Sequence, residues 1–438
     1  MTAPALAWLA LMLGGCHPVG IVPHTGDSEP GDTTVPDDST PDDSGPEPHD
    51  TDTEHIPDAP EPADAIFSGE DLPVFTIVIS VANADLLQAE YAGGEHNWVE
   101  ASFRYLDRDY GPVGLRLKGE NSFEYFRQKP SMKVDFNHVD PEGEFLELKG
   151  LTLNNMDNDY TMMHERLAYR AYREAGIPAY RANHALVYVQ EVDEGGDVVS
   201  DRFYGLYTVL EDANKDFVQR WFEDGEGTLF EIWDSDFYDG YVPCPNAYGT
   251  AGCFQIEVGE DDRTRIQAVA DAMESAGQTA YDSAAPYLAW ESFISFWASE
   301  SVIGQFDSYP YSNPGDDAHV YDDPTTGRLW FIPHGNDETF YYPDSDFTSV
   351  NGIVAQRCKA YAPCFEAYKE RAWEVWDGAE AWGWLAYFDE VRAQIEPWVE
   401  ADQNKPYSGE YVTYYQSAMR TFIASRQQAM QRWIGAHP

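Results

Sequence analysis

Positive charge is scarce in this chain of 438 residues. Its 27 Lys and Arg stand against 77 Asp and Glu, a formal net charge of −50. A surface that acidic repels phosphate backbones and excludes nucleic acid as a partner. It suits cationic partners and divalent metals. Long apolar runs are also missing: no stretch approaches the roughly 20 residues that cross a bilayer. A Gly-x-Ser-x-Gly elbow is absent, so a Ser-His-Asp hydrolase has no nucleophile turn to use. Cysteines number only five. What remains is 43% hydrophobic and 14% aromatic, enough for a sizeable core. The length fits two or three ordinary domains or one large two-lobed one.

The one membrane signal is N-terminal. ALAWLALMLGGC (5–16) is a short apolar run ending in small residues, and no Lys or Arg precedes it. Leu13-Gly14-Gly15-Cys16 resembles a bacterial lipobox, which makes 1–16 a lipoprotein signal segment with Cys16 as the lipidated residue. His17 in place of Asp points toward the outer membrane. The expectation is a lipid-anchored protein of the bacterial cell envelope that touches the membrane through its lipid alone. Residues 17–65 hold Pro, Asp, Thr and Ser, with no aromatic residue and no Lys or Arg. Such a segment cannot bury a core and reads as a disordered acidic tether. Calcium binding by its Asp-Asp pairs is the rarer alternative. With Cys16 lipidated, Cys244, Cys253, Cys358 and Cys364 remain, an even set that suggests disulfides in an exported protein. Short spacings favour Cys244–Cys253 and Cys358–Cys364, although three pairings are open. Zinc binding is the alternative, but two-residue spacing is lacking.

From residue 70 to 438 the composition is globular. Strands are expected at 74–81, 97–107, 113–119, 131–136, 185–192 and 203–211, where apolar residues run together or alternate. HERLAYRAYREAG (164–176) has helical periodicity and a Gly stop. Helices are expected around 262–278, 285–303, 366–400 and 411–434. A hairpin, AHVY (318–321) and RLWFIP (328–333), flanks the turn DDPTTG. Strands first and helices later predict an α+β, two-lobed architecture.

Three places could carry chemistry. GLRLKGENSFEYFRQKPSMKVDF (114–136) gathers Arg116, Lys118, Arg127, Lys129 and Lys133. With Lys129, Ser131 and Lys133 on one side of a strand, these ammonium groups could hold phosphates, or simply face solvent. FYGLYTVLED ends its strand at Glu211. GQFDSYPYSNP (304–314) and HGND offer Asp307, Asn313 and Asp337, hard oxygen ligands of the kind Mg²⁺ or Mn²⁺ takes beside a phosphate.

In their order, these pieces resemble the CotH-type kinases. The elements are RLKGENSF with QKPSMKVDF, then LNNMDNDYTMMHERLAYRAYREAGIPAYRANHALVYV, GLYTVLEDANKDFVQRWF, the Asp307 region and FIPHGNDETF. The resemblance implies an atypical protein-kinase-like fold, ATP with Mg²⁺ or Mn²⁺, and phosphate transfer to Ser or Thr of a protein. It implies nucleotide contacts for Lys129, Lys133 and Glu211, an acceptor-orienting role for Asp307, and metal ligation by Asp337 with Asn313. RCKAYAPC looks like the cysteine pair of exported members. Departures are His334 for Trp, Gly335 for the first Asp of a Pro-Trp-Asp-x-Asp segment, His164 for Arg, and Asn313 one residue out of place. Gly335→Asp would then restore the paired aspartates. The alternative is a catalytically inactive surface module on the same fold.

Overall fold

The computed structural model describes residues 61–94, 96–119, 121–238 and 253–435. They fall within one compact unit, Glu54–Pro438. Cys16, Cys244 and 17–60 lie outside the described residues, whereas 61–65, expected to end the tether, are folded: Ala63 is buried, and Glu61 and Asp64 pair with Arg181.

The first half folds as β1 (Val74–Ser80), β2 (Val99–Tyr105), β3 (Arg108–Asp109), β4 (Val113–Lys118), β5 (Ser131–Asp135), β6 (Gly150–Asn154), β7 (Ala182–Val192) and β8 (Val198–Glu211). Their order is β1-β7-β8-β6-β5-β4-β2-β3, and β1 also pairs with β2. Seven strands therefore close on themselves, with β3 appended to β2. Only the β1–β7 pair is parallel. Closure removes the exposed edges that an open sheet would otherwise have to shield. Alternation fills the interior. Leu115, Leu117, Met132, Val134, Leu151 and Leu153 point inward around Phe75, Phe103, Phe136 and Phe145. Lys118, Lys133 and Thr152 take the alternate, outward positions.

A second sheet has the order β10-β9-β11-β12, from β9 (Thr228–Trp233), β10 (Cys253–Val258), β11 (Ala318–Asp323) and β12 (Arg328–Pro333). The helices are α1 (Asp64–Phe67), α2 (Val81–Gln88), α3 (His164–Glu174), α4 (Lys215–Trp221), α5 (Thr264–Met273), α6 (Gly277–Ala284), α7 (Trp290–Ile303), α8 (Ile353–Lys359), α9 (Ala362–Trp382), α10 (Trp384–Ala401) and α11 (Gly409–Trp433). The expected α+β division is thus present, strands first and helices later. Helix α7 is buried all round, with Trp297 stacked at 3.7 Å on Tyr368 of α9. Cys358 and Cys364 form a disulfide joining α8 to α9. Cys253 is also disulfide-bonded.

One contact ties the C-terminal helices to the barrel. Gly205 of β8 has a φ of +138°, and a Cβ there would lie 2.3 Å from Asp402 Oδ2. Only glycine leaves room for that carboxylate. Asp402, at the end of α10, accepts hydrogen bonds from Leu206 N at 3.1 Å, Asn404 N at 2.8 Å and Lys129 Nζ at 2.7 Å.

Candidate active site

The outer face of β4, β5 and β6 looks across a cleft onto the second sheet. Their register explains why. Arg116 lies opposite Lys133, and Lys133 opposite Thr152, so their outward side chains share one patch. The cavity beneath measures about 510 Å³. Arg116, Lys118 and Lys133 are the cations lining it, and carboxylates outnumber them. Asp307, Asp316, Asp317, Asp337 and Glu338 gather on the opposite wall.

Lys118 donates to Asn154 Oδ1 at 3.0 Å, and Asn154 Nδ2 donates to Glu165 Oε1 at 2.6 Å. A strand lysine is so linked to a helix glutamate on α3. Protein kinases hold a strand lysine and a helix glutamate together to seat the phosphates. Burial lowers the Lys118 pKa. Burial and the nearby Asp337 push Glu165 up to about 8.

The turn after β12 is fixed from below. Asp159 accepts from His164 N at 2.7 Å and caps the start of α3. The His164 ring sits at 2.6 Å, through Nδ1, from the carbonyl of Asp337. Buried Gln305 bridges the two acidic loops. Its Nε2 donates to Gly335 O at 2.8 Å, and its Oε1 accepts from Asp307 N at 2.9 Å. Asn336 is buried beneath the turn, its Oδ1 3.0 Å from Tyr172 Oη.

These observations sort the expected site residues. Lys133, Asp307 and Asp337 come together around the cavity. Lys129 does not. Pro130 separates it from β5, so strand alternation does not reach it, and its ammonium is 3% exposed against Asp402 and above the Tyr207 ring. Glu211 reaches the cavity rim, but Arg181 and Arg220 occupy its carboxylate. Asn313 is exposed and stands outside the cavity lining, where Asp316 and Asp317 take the place expected of it. Lys118, Asp316 and Asp317 were given no site role from sequence, and Glu165 stood out only as a retained position, with Asp159, of the Asp-x-x-x-x-Arg-Glu segment that the resemblance implies. Lys118 lay in plain view in the basic stretch, and counting outward positions on β4 would have found it.

A family model described as CotH kinase protein matches residues 115–430. The chain belongs to the CotH kinase family. No curated protein matches it. Among the departures of this CotH kinase family member from the expected segment is Gly335, and the structure shows what fills its space. Gly335 has a φ of +58°, and a Cβ built there would lie 1.9 Å from Asp317 Oδ1. The carboxylate of Asp317 already covers the turn. The expectation that Gly335→Asp would restore a missing ligand is therefore overturned, because two carboxyl groups would compete for one volume. Gly335→Ala should lose roughly 1–2 kcal/mol to the left-handed backbone alone. Displacing Asp317 should weaken Mn²⁺ binding at least about tenfold, read by calorimetry beside a melting curve. Unchanged affinity would show that Asp317 takes no part.

The cluster offers carboxylate oxygens from two loops joined by one glutamine, the hard ligand type that a divalent cation such as Mg²⁺ takes. Burial pushes Asp316 up to about 6 and Glu338 up to about 7. Burial and the neighbouring Asp337 hold Asp317 well above the usual carboxylate range. Ligation needs these groups ionised, so Mn²⁺ affinity should climb from about pH 6 to about pH 8 with release of protons. Titrations in two buffers of different ionisation heat would count them. A flat profile would place the cation elsewhere.

Proposed function

We propose that this chain is an exported phosphotransferase that moves the terminal phosphate of ATP to Ser or Thr of envelope or surface proteins. What carries the reading is the opposition of Lys118 and Lys133 to the carboxylates of Asp317 and Asp337 across one cleft. Phosphoryl transfer is mostly positioning and charge neutralisation, and these side chains supply both. Lys118 and Lys133 would hold phosphate oxygens from the barrel side. Asp317 and Asp337 would hold Mg²⁺ or Mn²⁺, which neutralises charge building on the phosphate oxygens. Asp307 is exposed at the lip, where an acceptor hydroxyl arrives, and could orient it and take its proton. The acidic exterior agrees with a basic protein substrate. Lipid attachment at Cys16, an outer-membrane address and the spacer role of 17–60 belong to the same proposal and rest on sequence alone.

The test is incubation of the purified chain with labelled ATP, Mn²⁺ and envelope proteins from its own source. Acid-stable label on Ser or Thr, lost in Asp307→Asn, is the expected outcome. The alternative is a cleft that binds without transferring phosphate. It predicts metal-dependent ATP binding with no labelled product under any acceptor.

A further inference from the structure

The floor sheet carries two imidazoles and a carboxylate that phosphate transfer leaves unused. Glu231 on β9 lies directly opposite His319 on β11, and His334 follows the last residue of β12. One ligand-capable atom from each lies within 4.8 Å of the other two. His319 is 1% exposed. Its Nδ1 sits 2.5 Å from Tyr180 Oη, whereas its Nε2 is buried with no hydrogen-bond partner. Nδ1 of His334 is likewise buried and unpartnered. An orphaned buried polar atom is costly, and two on stacked rings call for a ligand.

We propose that Glu231, His319 and His334 form a site for a transition-metal dication of the zinc class, distinct from the all-carboxylate cluster. Imidazole nitrogen selects borderline metals such as Zn²⁺ or Co²⁺ over Mg²⁺. Three protein ligands leave a fourth position open to the cleft, as in zinc sites that meet a substrate or water. Tyr180 supplies the outer support. With the ring proton on Nδ1 donated to Tyr180 Oη, Nε2 of His319 presents its lone pair in a fixed direction. Lys133 faces both rings with positive charge and Lys118 faces His334, while Glu257 and Asp316 add negative charge beside Glu231.

The rings of His319 and His334 are stacked, 4.1 Å between centroids and 21° between planes. Near-parallel rings aim their nitrogens side by side, so one ion requires one ring to turn. His319 is pinned by Tyr180. His334 is the ring that moves, for its nearest charged partner is Glu231 Oε1 at 3.6 Å from Nε2.

The experiment uses Co²⁺ as the probe on the purified full-length chain, with no nucleotide present, so it stands apart from any failure of phosphate transfer. Expected is a visible d–d absorption that saturates with Co²⁺, is displaced by Zn²⁺, and survives a large excess of Mg²⁺. His334→Gln, a substitution on a partly exposed ring, should weaken binding at least about tenfold while the far-UV circular dichroism stays unchanged. Glu231→Gln should do the same, and Asp337→Asn should leave the band in place. Absence of a Zn²⁺-displaceable band overturns the proposal, as does a band that persists in His334→Gln or vanishes in Asp337→Asn.

Discussion

Asp337→Asn is expected to abolish metal-dependent nucleotide binding while the metal-free protein melts at the wild-type temperature or slightly above it. An amide keeps the shape of the side chain and removes the charge a dication needs. The backbone is held independently, since His164 contacts the Asp337 carbonyl, which Asn retains. Burial and the nearby Asp159 raise the pKa of this carboxyl, so its charge is a burden in the empty cleft. Removing that burden stabilises, which is the usual exchange at a binding site. From sequence, Asp337 stood as a candidate metal ligand in a glycine-bent turn. The structure puts it half-buried against the cavity. Calorimetry with Mn²⁺ and a nucleotide, set beside a melting curve, separates the roles. A lower melting temperature with intact binding would make Asp337 a turn former and nothing more.

The second large effect divides two lysines that sequence placed on one face. Lys129→Met should cost roughly 3–5 kcal/mol of unfolding free energy, because it strands a charge at Asp402, which is 0% exposed. Nucleotide affinity of the folded fraction should stay the same. Lys133→Met should do the opposite. Its partners Asp212 and Glu257 stand at 3.4 and 3.8 Å with about a fifth of each side chain exposed, pairs worth about 1 kcal/mol or less. Nucleotide affinity should drop at least about tenfold. Urea denaturation measures the first quantity and calorimetry the second. Weaker nucleotide binding by Lys129→Met without loss of stability would return Lys129 to the cleft.

Much of this molecule was legible from local pattern. The strands at 74–81, 113–119 and 131–136, the helix at 164–176 and the 318–333 hairpin appear within a few residues of their expected bounds, because each carries its own alternation and its own stop. Non-local pairing was not legible. Nothing in β1 or β2 alone announces that they pair and close a barrel. The five-residue β6 hides between charged loops, and the β9–β10 pair is interrupted by a long connection. Site residues divide the same way. Lys133 and Asp337 sit in ordered, patterned surroundings and were found. Asp316 and Asp317 follow Pro314-Gly315, where no strand or helix pattern singles them out. Lys129 misled because alternation was carried across a proline that ends it. His319 alternates like any strand residue, and only the fold brings it to His334.

The clasp between Lys129 and Asp402 spans 273 positions of chain. A polypeptide that emerges from its N-terminus first can gather the apolar interior of its barrel early. The ammonium buried in the barrel wall gains its counter-charge only after α10 has emerged. Contacts of such long separation slow folding and make it cooperative over the whole unit. The lobe that bears the lysines thus becomes fully stable last, when the C-terminal helices arrive to neutralise it.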